Sequence, residues 1–240
     1  MRWLLPVPEL NISGSGYINI EDEEFILTSI PKDLTGKSVL DLASFDGYYS
    51  YVASKRGAFP VVAIDNCVGE EIAFGPDNGV IHLENRSFPN KEEHKLATKR
   101  LYEKYKILNR CLDNSIYFIP MDVYNIDKIE MNFDIVFCFG LYYHVKDIYG
   151  LLEKCYNKCN EMVIVEGHVL NKKEALIYIV NPLELHNDCT NFWSPTPSGL
   201  IKLLFRVGFK KIDVIGFRGA RMLLIAYKKE TKDELSTDEN

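Results

Sequence analysis

The sequence predicts an α/β chain organised around a doubly wound, mostly parallel, seven-stranded sheet, and three observations carry the prediction. Its strand candidates are short continuous apolar runs, the pattern of strands covered on both faces. Segments of helical periodicity separate most of them, as a layered α/β architecture requires. An acidic residue ends or follows each of the first three runs, at the strand edge where such sheets bind ligands.

The elements follow in order. Residues 1–20 are rich in Pro, Gly, Ser and Asn and read as an irregular arm, with Trp3 as a possible cover for a site. Glu21 to Ser29 reads as a short helix with an acidic start. After a turn at Thr35-Gly36, Lys37 to Leu42 forms the first buried strand, Gly47 to Arg56 a Tyr-rich helix ending at Gly57, and Pro60 to Asp65 the second strand. Residues 67–111 form an insertion whose latter part, Lys91 to Leu108, carries Leu96, Leu101, Tyr105 and Leu108 at helical spacing. Its Lys and Glu residues pair at i,i+4 on a solvated helix, or it serves as a lid or docking surface. Ser115 to Ile119 is the third strand, Phe133 to Phe139 the fourth, Val145 to Cys159 a helix, and Glu161 to Glu166 the fifth strand. Pro197 to Val207 is a helix with Pro in its first turn and Gly208 after it. Lys211 to Ile215 and Arg221 to Tyr227 close the sheet as a hairpin around Gly216 to Gly219. The whole is one Rossmann-like domain over residues 1–228, with a charged, disordered tail over 229–240.

Bulk composition narrows the function. The 240 residues are 47% hydrophobic and 26% charged, enough to bury a core without disulfides or metals. The net charge of -6 argues against a broad phosphate-binding face. Six cysteines lie scattered with no C-x-x-C pair, which predicts a reducing, cytoplasmic setting. Cys155 and Cys159, one helical turn apart, fit core-facing thiols. Pro6 and Pro8 interrupt the N-terminal apolar run, so it does not read as a secretory signal, and no stretch is long enough for a membrane span. His144 with Asp147, or His186 with Asp188, lacks a third ligand, so no metal is expected. Oligomeric state is not legible.

Chemistry gathers at the strand ends. Strand one runs into Asp41-Leu42-Ala43-Ser44-Phe45-Asp46-Gly47 and a helix, a turn whose backbone N–H groups can meet a nucleoside cofactor. Asp65, ending strand two, can accept both hydroxyls of a ribose. Asp122, after strand three, can accept from an adenine amine. Three acids at three successive strand ends describe an adenosine site. Each has a plain structural reading as well: a helix-capping acid for Asp41 and turn residues for Asp65 and Asp122.

These phrases resemble the class I S-adenosylmethionine-dependent methyltransferases, and within them the tRNA wobble-uridine methyltransferase-like branch. The matching residues are Val39-Leu40-Asp41 through Asp46-Gly47-Tyr48-Tyr49-Ser50, Asp65-Asn66, Met121-Asp122-Val123-Tyr124, and Phe133-Asp134-Ile135-Val136 through Gly140-Leu141-Tyr142-Tyr143-His144. The resemblance implies S-adenosylmethionine as cofactor. Asp41 and Gly47 would form the turn under its methionine part, with Ala43 and Phe45 standing where the common turn has glycines. Asp65, with Asn66, would hold the ribose. Asp122 and the Val123 amide would hold adenine, and the Phe139 and Gly140 backbone the amino group. The missing glycines argue against a nicotinamide-dependent oxidoreductase.

On the acceptor side, His144 follows strand four and is the candidate base or acceptor-orienting residue, with capping of the next helix as its plain reading. His168 and Glu166 after strand five could share that work or form a supporting polar pair. Tyr49, Tyr142, Tyr143, Asn191 and Trp193 are the candidate acceptor contacts. His82, His94 and His186 have no motif around them. The expected function is methyl transfer to a small-molecule acceptor such as a sugar or other metabolite, with oxygen favoured over nitrogen. The alternatives are tRNA wobble-base methylation and a non-catalytic, cofactor-binding partner subunit.

Overall fold

The computed structural model describes residues 7–12, 20–66, 91–182, 184–185, 188 and 190–230. From α1 (Ile20–Leu27) onward, helices separate most of the described strands. β1 (Val39–Leu42), α2 (Tyr48–Lys55) and β2 (Val61–Asp65) come first, followed by α3 (Lys91–Asn109) and β3 (Ile116–Pro120). A 3-10 helix (Val123–Lys128) leads to β4 (Phe133–Phe139), and a 3-10 turn (Tyr142–His144) to α4 (Ile148–Lys158) and β5 (Cys159–His168). β6 (Ile177–Ile179), β7 (Trp193–Pro195), α5 (Pro197–Val207), β8 (Lys211–Arg218) and β9 (Arg221–Tyr227) complete the order.

Seven strands form one sheet in the order β3-β2-β1-β4-β5-β9-β8. β1 to β5 are mutually parallel, and β9 runs antiparallel to both β5 and β8. β1 touches both β2 and β4, so the order reverses there, and the crevice outside its carboxyl end is the natural ligand site. Alternate side chains of each strand enter opposite core layers. Leu40, Leu42, Val136, Cys138, Val163 and Val165 pack with Leu151, Leu152 and Cys155 of α4 and Leu200 and Leu204 of α5. Val39, Val61, Ala63, Ile135, Phe137 and Ile164 pack with Ile26, Tyr51, Tyr105 and Leu108 on the other face. Asp41 and Asp65 belong by alternation to this second face.

Several boundaries differ from the sequence expectation. α4 starts at Ile148, not Val145, because Asp147 caps it, its carboxylate accepting from Gly150 N at 2.8 Å. The α3 stripe is Ala97, Leu101, Tyr105 and Leu108, while Leu96 faces solvent. Gly216 lies within β8 at a register shift, and the turn of the hairpin sits at Gly219 and Ala220. The β6–β7 pair, in a second two-stranded sheet, was not foreseen. The arm is partly anchored: Val7 is buried and pairs with Ile12. Lys228 is also anchored, donating to the carbonyls of Tyr156 and Cys159. Trp3, Cys67, His82, His186, Cys189, the 67–90 part of the insertion and residues 231–240 lie outside the described residues. Among the described residues no helix is long and apolar enough to cross a membrane.

Candidate active site

The turn after β1 departs from ordinary backbone. Ala43 and Phe45 take φ values of 51° and 49°, and Gly47 takes 82°. The two positions where the common turn has glycine thus keep a glycine-like backbone without being glycine. Left-handed non-glycine residues cost on the order of 1–3 kcal/mol each, so neighbouring contacts must hold them. Ser44 provides several of these. Its N–H and hydroxyl both donate to Ile64 O, at 2.9 and 3.1 Å, and its carbonyl accepts from Gly47 N at 2.9 Å. Phe45 N donates to the Asp65 carboxylate at 3.0 Å. The Tyr105 hydroxyl donates to Ser44 Oγ at 2.7 Å. The Phe45 ring lies 5.2 Å from the ammonium of Lys104, a fully buried side chain of α3.

Acids line this turn. Asp41 is buried in β1 and accepts from Ser50 Oγ at 2.6 Å. Burial pushes its carboxyl up to about 7, against the pull of the Ser50 hydrogen bond and with a further push from Asp65 and Asp46. Asp65 closes β2 opposite Pro120, and its carbonyl accepts from Met121 N at 2.8 Å, which sets Asp122 at the same sheet edge. Asp122 is exposed and caps the 3-10 helix, accepting from Tyr124 N at 2.8 Å, with Val123 buried beside it. Asn66 is exposed after Asp65. At the end of β4, Phe139 packs 4.7 Å from the Tyr49 ring, and Gly140, at φ 61°, donates its N–H to Glu166 O at 3.0 Å. Asp41, Ala43, Phe45, Gly47, Asp65, Phe139 and Gly140 therefore gather at the carboxyl ends of β1, β2 and β4, with Asp122 and Val123 on the β3 side.

The acceptor candidates separate. Tyr142 is not available to a ligand: it is fully buried, and its hydroxyl donates to His168 O at 2.6 Å. Glu166, 2% exposed, is gripped by Arg221, whose Nη2 donates at 2.7 Å while Nε holds the other oxygen. Arg221 Nη1 also donates to the Tyr143 hydroxyl at 3.2 Å. A Cβ on Gly140 would lie 3.6 Å from that hydroxyl and 3.7 Å from Arg221 Nη2, so Tyr143 and Arg221 reach the end of β4. His168 is buried, with Nδ1 2.9 Å from Ser194 Oγ.

His144 is oriented by its neighbours. The Thr190 hydroxyl donates to Asp188 at 2.6 Å, which leaves its oxygen as an acceptor for His144 Nδ1 at 2.9 Å. The Thr190 carbonyl, 3.3 Å from the same nitrogen, can only accept. Both contacts assign the proton to Nδ1 and make Nε2 the basic nitrogen. Burial lowers the imidazole pKa, partly offset by Asp188 and Thr190. Trp193 Nε1 donates to Val145 O at 2.8 Å, and Phe192 N to Tyr143 O at 2.8 Å, so the loop before α5 is fastened to the segment after β4. Asn191 is buried beside them. Its amide donates to Leu185 O at 2.9 Å and its Oδ1 has no partner among the described residues.

The architecture has close counterparts among solved proteins. The N-terminal domain of EvdMO1, solved in the presence of SAH and D-fucose, superposes with a TM-score of 0.60 at 15% identity, covering 90% of this chain and 86% of that one. An S-adenosylmethionine-dependent methyltransferase structure from Listeria monocytogenes gives 0.57 at 15% identity, covering 88% and 99%. The chain has the class I S-adenosylmethionine-dependent methyltransferase fold. In sequence, this methyltransferase-fold chain is similar to tRNA U34 carboxymethyltransferases. It is 20% identical to that of Campylobacter lari over 207 residues, 84% of this chain and 60% of the relative. It is 22% identical to that of Alteromonas mediterranea over 191 residues, 76% of this chain and 47% of the relative. The chain thus spans about half the length of these relatives. No family model matches it.

Sequence reasoning missed Arg221, Tyr105, Ser44, Ser50, Asp188 and Thr190. Ser50 carried a local signal, because a hydroxyl one turn into α2 faces back toward β1. The others depend on pairing across the fold.

Proposed function

We propose that this chain binds S-adenosylmethionine at the carboxyl ends of β1, β2 and β3 and transfers its methyl group. The observation that carries the reading is the ordered acid set, Asp41, Asp65 and Asp122, around a turn that keeps left-handed backbone at two non-glycine positions. Asp65 would accept the ribose hydroxyls, Asp122 and the Val123 amide would meet adenine, and the Gly140 region would face the amino-acid part. The bound cofactor would supply an activated methyl on a sulfonium, leaving the protein to align the acceptor and exclude water. His144 Nε2 is the candidate base for an acceptor proton, and Tyr143 an orienting hydroxyl. Glu166, held by Arg221, serves as a positioning group in this reading, and His168 supports the loop through Ser194.

For the acceptor, the names of the relatives favour a tRNA wobble uridine over the small molecule that composition alone suggests. The small-molecule reading keeps one observation on its side, the net charge of -6. The relatives' names also raise a carboxymethyl group as cargo, and Arg221 with Tyr143 would meet a carboxylate near Gly140. Two of the guanidinium's donors are already committed to Glu166, which favours the plain methyl donor.

Titration calorimetry with S-adenosylmethionine tests the first claim: binding that Asp65→Ala weakens by about a hundredfold, the loss of two charge-assisted hydrogen bonds, supports it, and absence of binding defeats it. Incubation with methyl-labelled cofactor and separate tRNA and metabolite pools then decides the acceptor. Label confined to metabolites would overturn the tRNA reading.

A further inference from the structure

Resting on the cofactor site proposed above, we propose that Tyr105 of α3 is a positioning residue for the turn after β1. It holds Ala43 and Phe45 in the left-handed backbone that the cofactor requires. The turn has lost the glycines that would adopt this conformation freely. Its geometry must therefore be imposed from outside, and Tyr105 is built to impose it.

Three contacts fix this tyrosine. Its ring stacks on Phe118 of β3, with centroids 4.5 Å apart and planes 10° from parallel. Its hydroxyl donates at 2.7 Å to Ser44, the residue between the two left-handed positions, and Ser44 Oγ passes the chain on to Ile64 O of β2. Its ring also fills the space over Gly47: a Cβ there would come within 2.7 Å of Tyr105 Cε1 and 2.9 Å of Leu108 Cδ1. The tyrosine thus touches both the middle of the turn and the start of α2, while standing on β3, two strands from β1. Helix α3 lies between β2 and β3 in the chain, so a residue outside the turn shapes the surface that the turn presents.

Replacement by phenylalanine separates this role from core packing, because Tyr105→Phe keeps the ring and the Phe118 stack. In the ligand-free protein, amide hydrogen exchange at Ser44 and Gly47 should accelerate, with β5 and β9 unchanged. In calorimetry, the S-adenosylmethionine dissociation constant should rise about tenfold, a loss of about 1.4 kcal/mol. Ala43→Gly and Phe45→Gly together should make the turn independent of the clamp, so Tyr105→Phe in that background should change affinity less than about threefold. Ser44→Ala should reproduce the Tyr105→Phe phenotype. Unchanged exchange at Ser44 and Gly47 in Tyr105→Phe overturns the proposal, as does an equal affinity loss in the glycine background. The exchange arm needs no ligand, so a wild-type protein that fails to bind cofactor, yet loosens at Ser44 when Tyr105 is changed, would defeat the cofactor reading while leaving the clamp standing as a structural device.

Discussion

Arg221 holds both carboxylate oxygens of Glu166 from a strand antiparallel to Glu166's own, and the two charges sit diagonally across the β5–β9 pairing. Breaking such a pair is costlier than never having built it, because the survivor is left charged and desolvated. Arg221→Gln should lower stability by about 3 kcal/mol, at the lower end for a buried pair since Arg221 retains some solvent contact. Urea unfolding should show the midpoint falling, and the double variant Arg221→Gln, Glu166→Gln should recover most of the loss.

Asp41 makes stability depend on pH. Its carboxyl is raised to about 7 in the folded state by burial, from 3.8, so the folded chain holds a proton that the unfolded chain releases. The stabilisation is complete below the unfolded value and disappears as pH rises from about 4 to 7, a loss on the order of 4 kcal/mol. Asp41→Asn should flatten this slope. Thermal melts of both proteins across that window check it, and parallel slopes would refute it.

Gly47 admits no side chain. Gly47→Ala meets both a left-handed backbone and the Tyr105 ring, and should destabilise by about 2–4 kcal/mol. Denaturant unfolding is the measurement, and a change under about 0.5 kcal/mol, the scale of an ordinary surface substitution, would contradict the packing described.

If His144 is the base, His144→Ala should lower turnover by about a hundredfold with cofactor affinity unchanged. Thr190→Val, which removes the hydroxyl between Asp188 and the ring, should lower turnover less. Because burial depresses the imidazole pKa, the acid limb of the wild-type rate profile should lie below the ordinary histidine range.

The sheet was readable because its information is local. Runs such as Val39 to Leu42 and Val61 to Asp65 state their own burial, and the acids Asp41 and Asp65 lie at their carboxyl ends. What escaped was non-local. Arg221 looked like the first residue of a strand until β9 was seen lying against β5. Tyr105 looked like one more apolar position of an amphipathic helix until Ser44 appeared beneath its hydroxyl. β6 and β7 span three residues each, too short for alternation to register. Neighbouring tyrosines were indistinguishable in sequence, yet Tyr142 turns into the core while Tyr143 meets Arg221.

The position of β9 has a consequence for how the protein comes off the ribosome. Arg221 to Tyr227 is the last described strand to be synthesised, yet it sits inside the sheet, and among the described strands β8 is attached only through it. A nascent chain that has emerged through β8 still exposes the open edge of β5 and leaves Glu166 without its cation. Assembly of this half of the sheet must wait until β9 itself has been synthesised, and until then the β5 edge is a target for chaperones or for pairing with another unfinished chain.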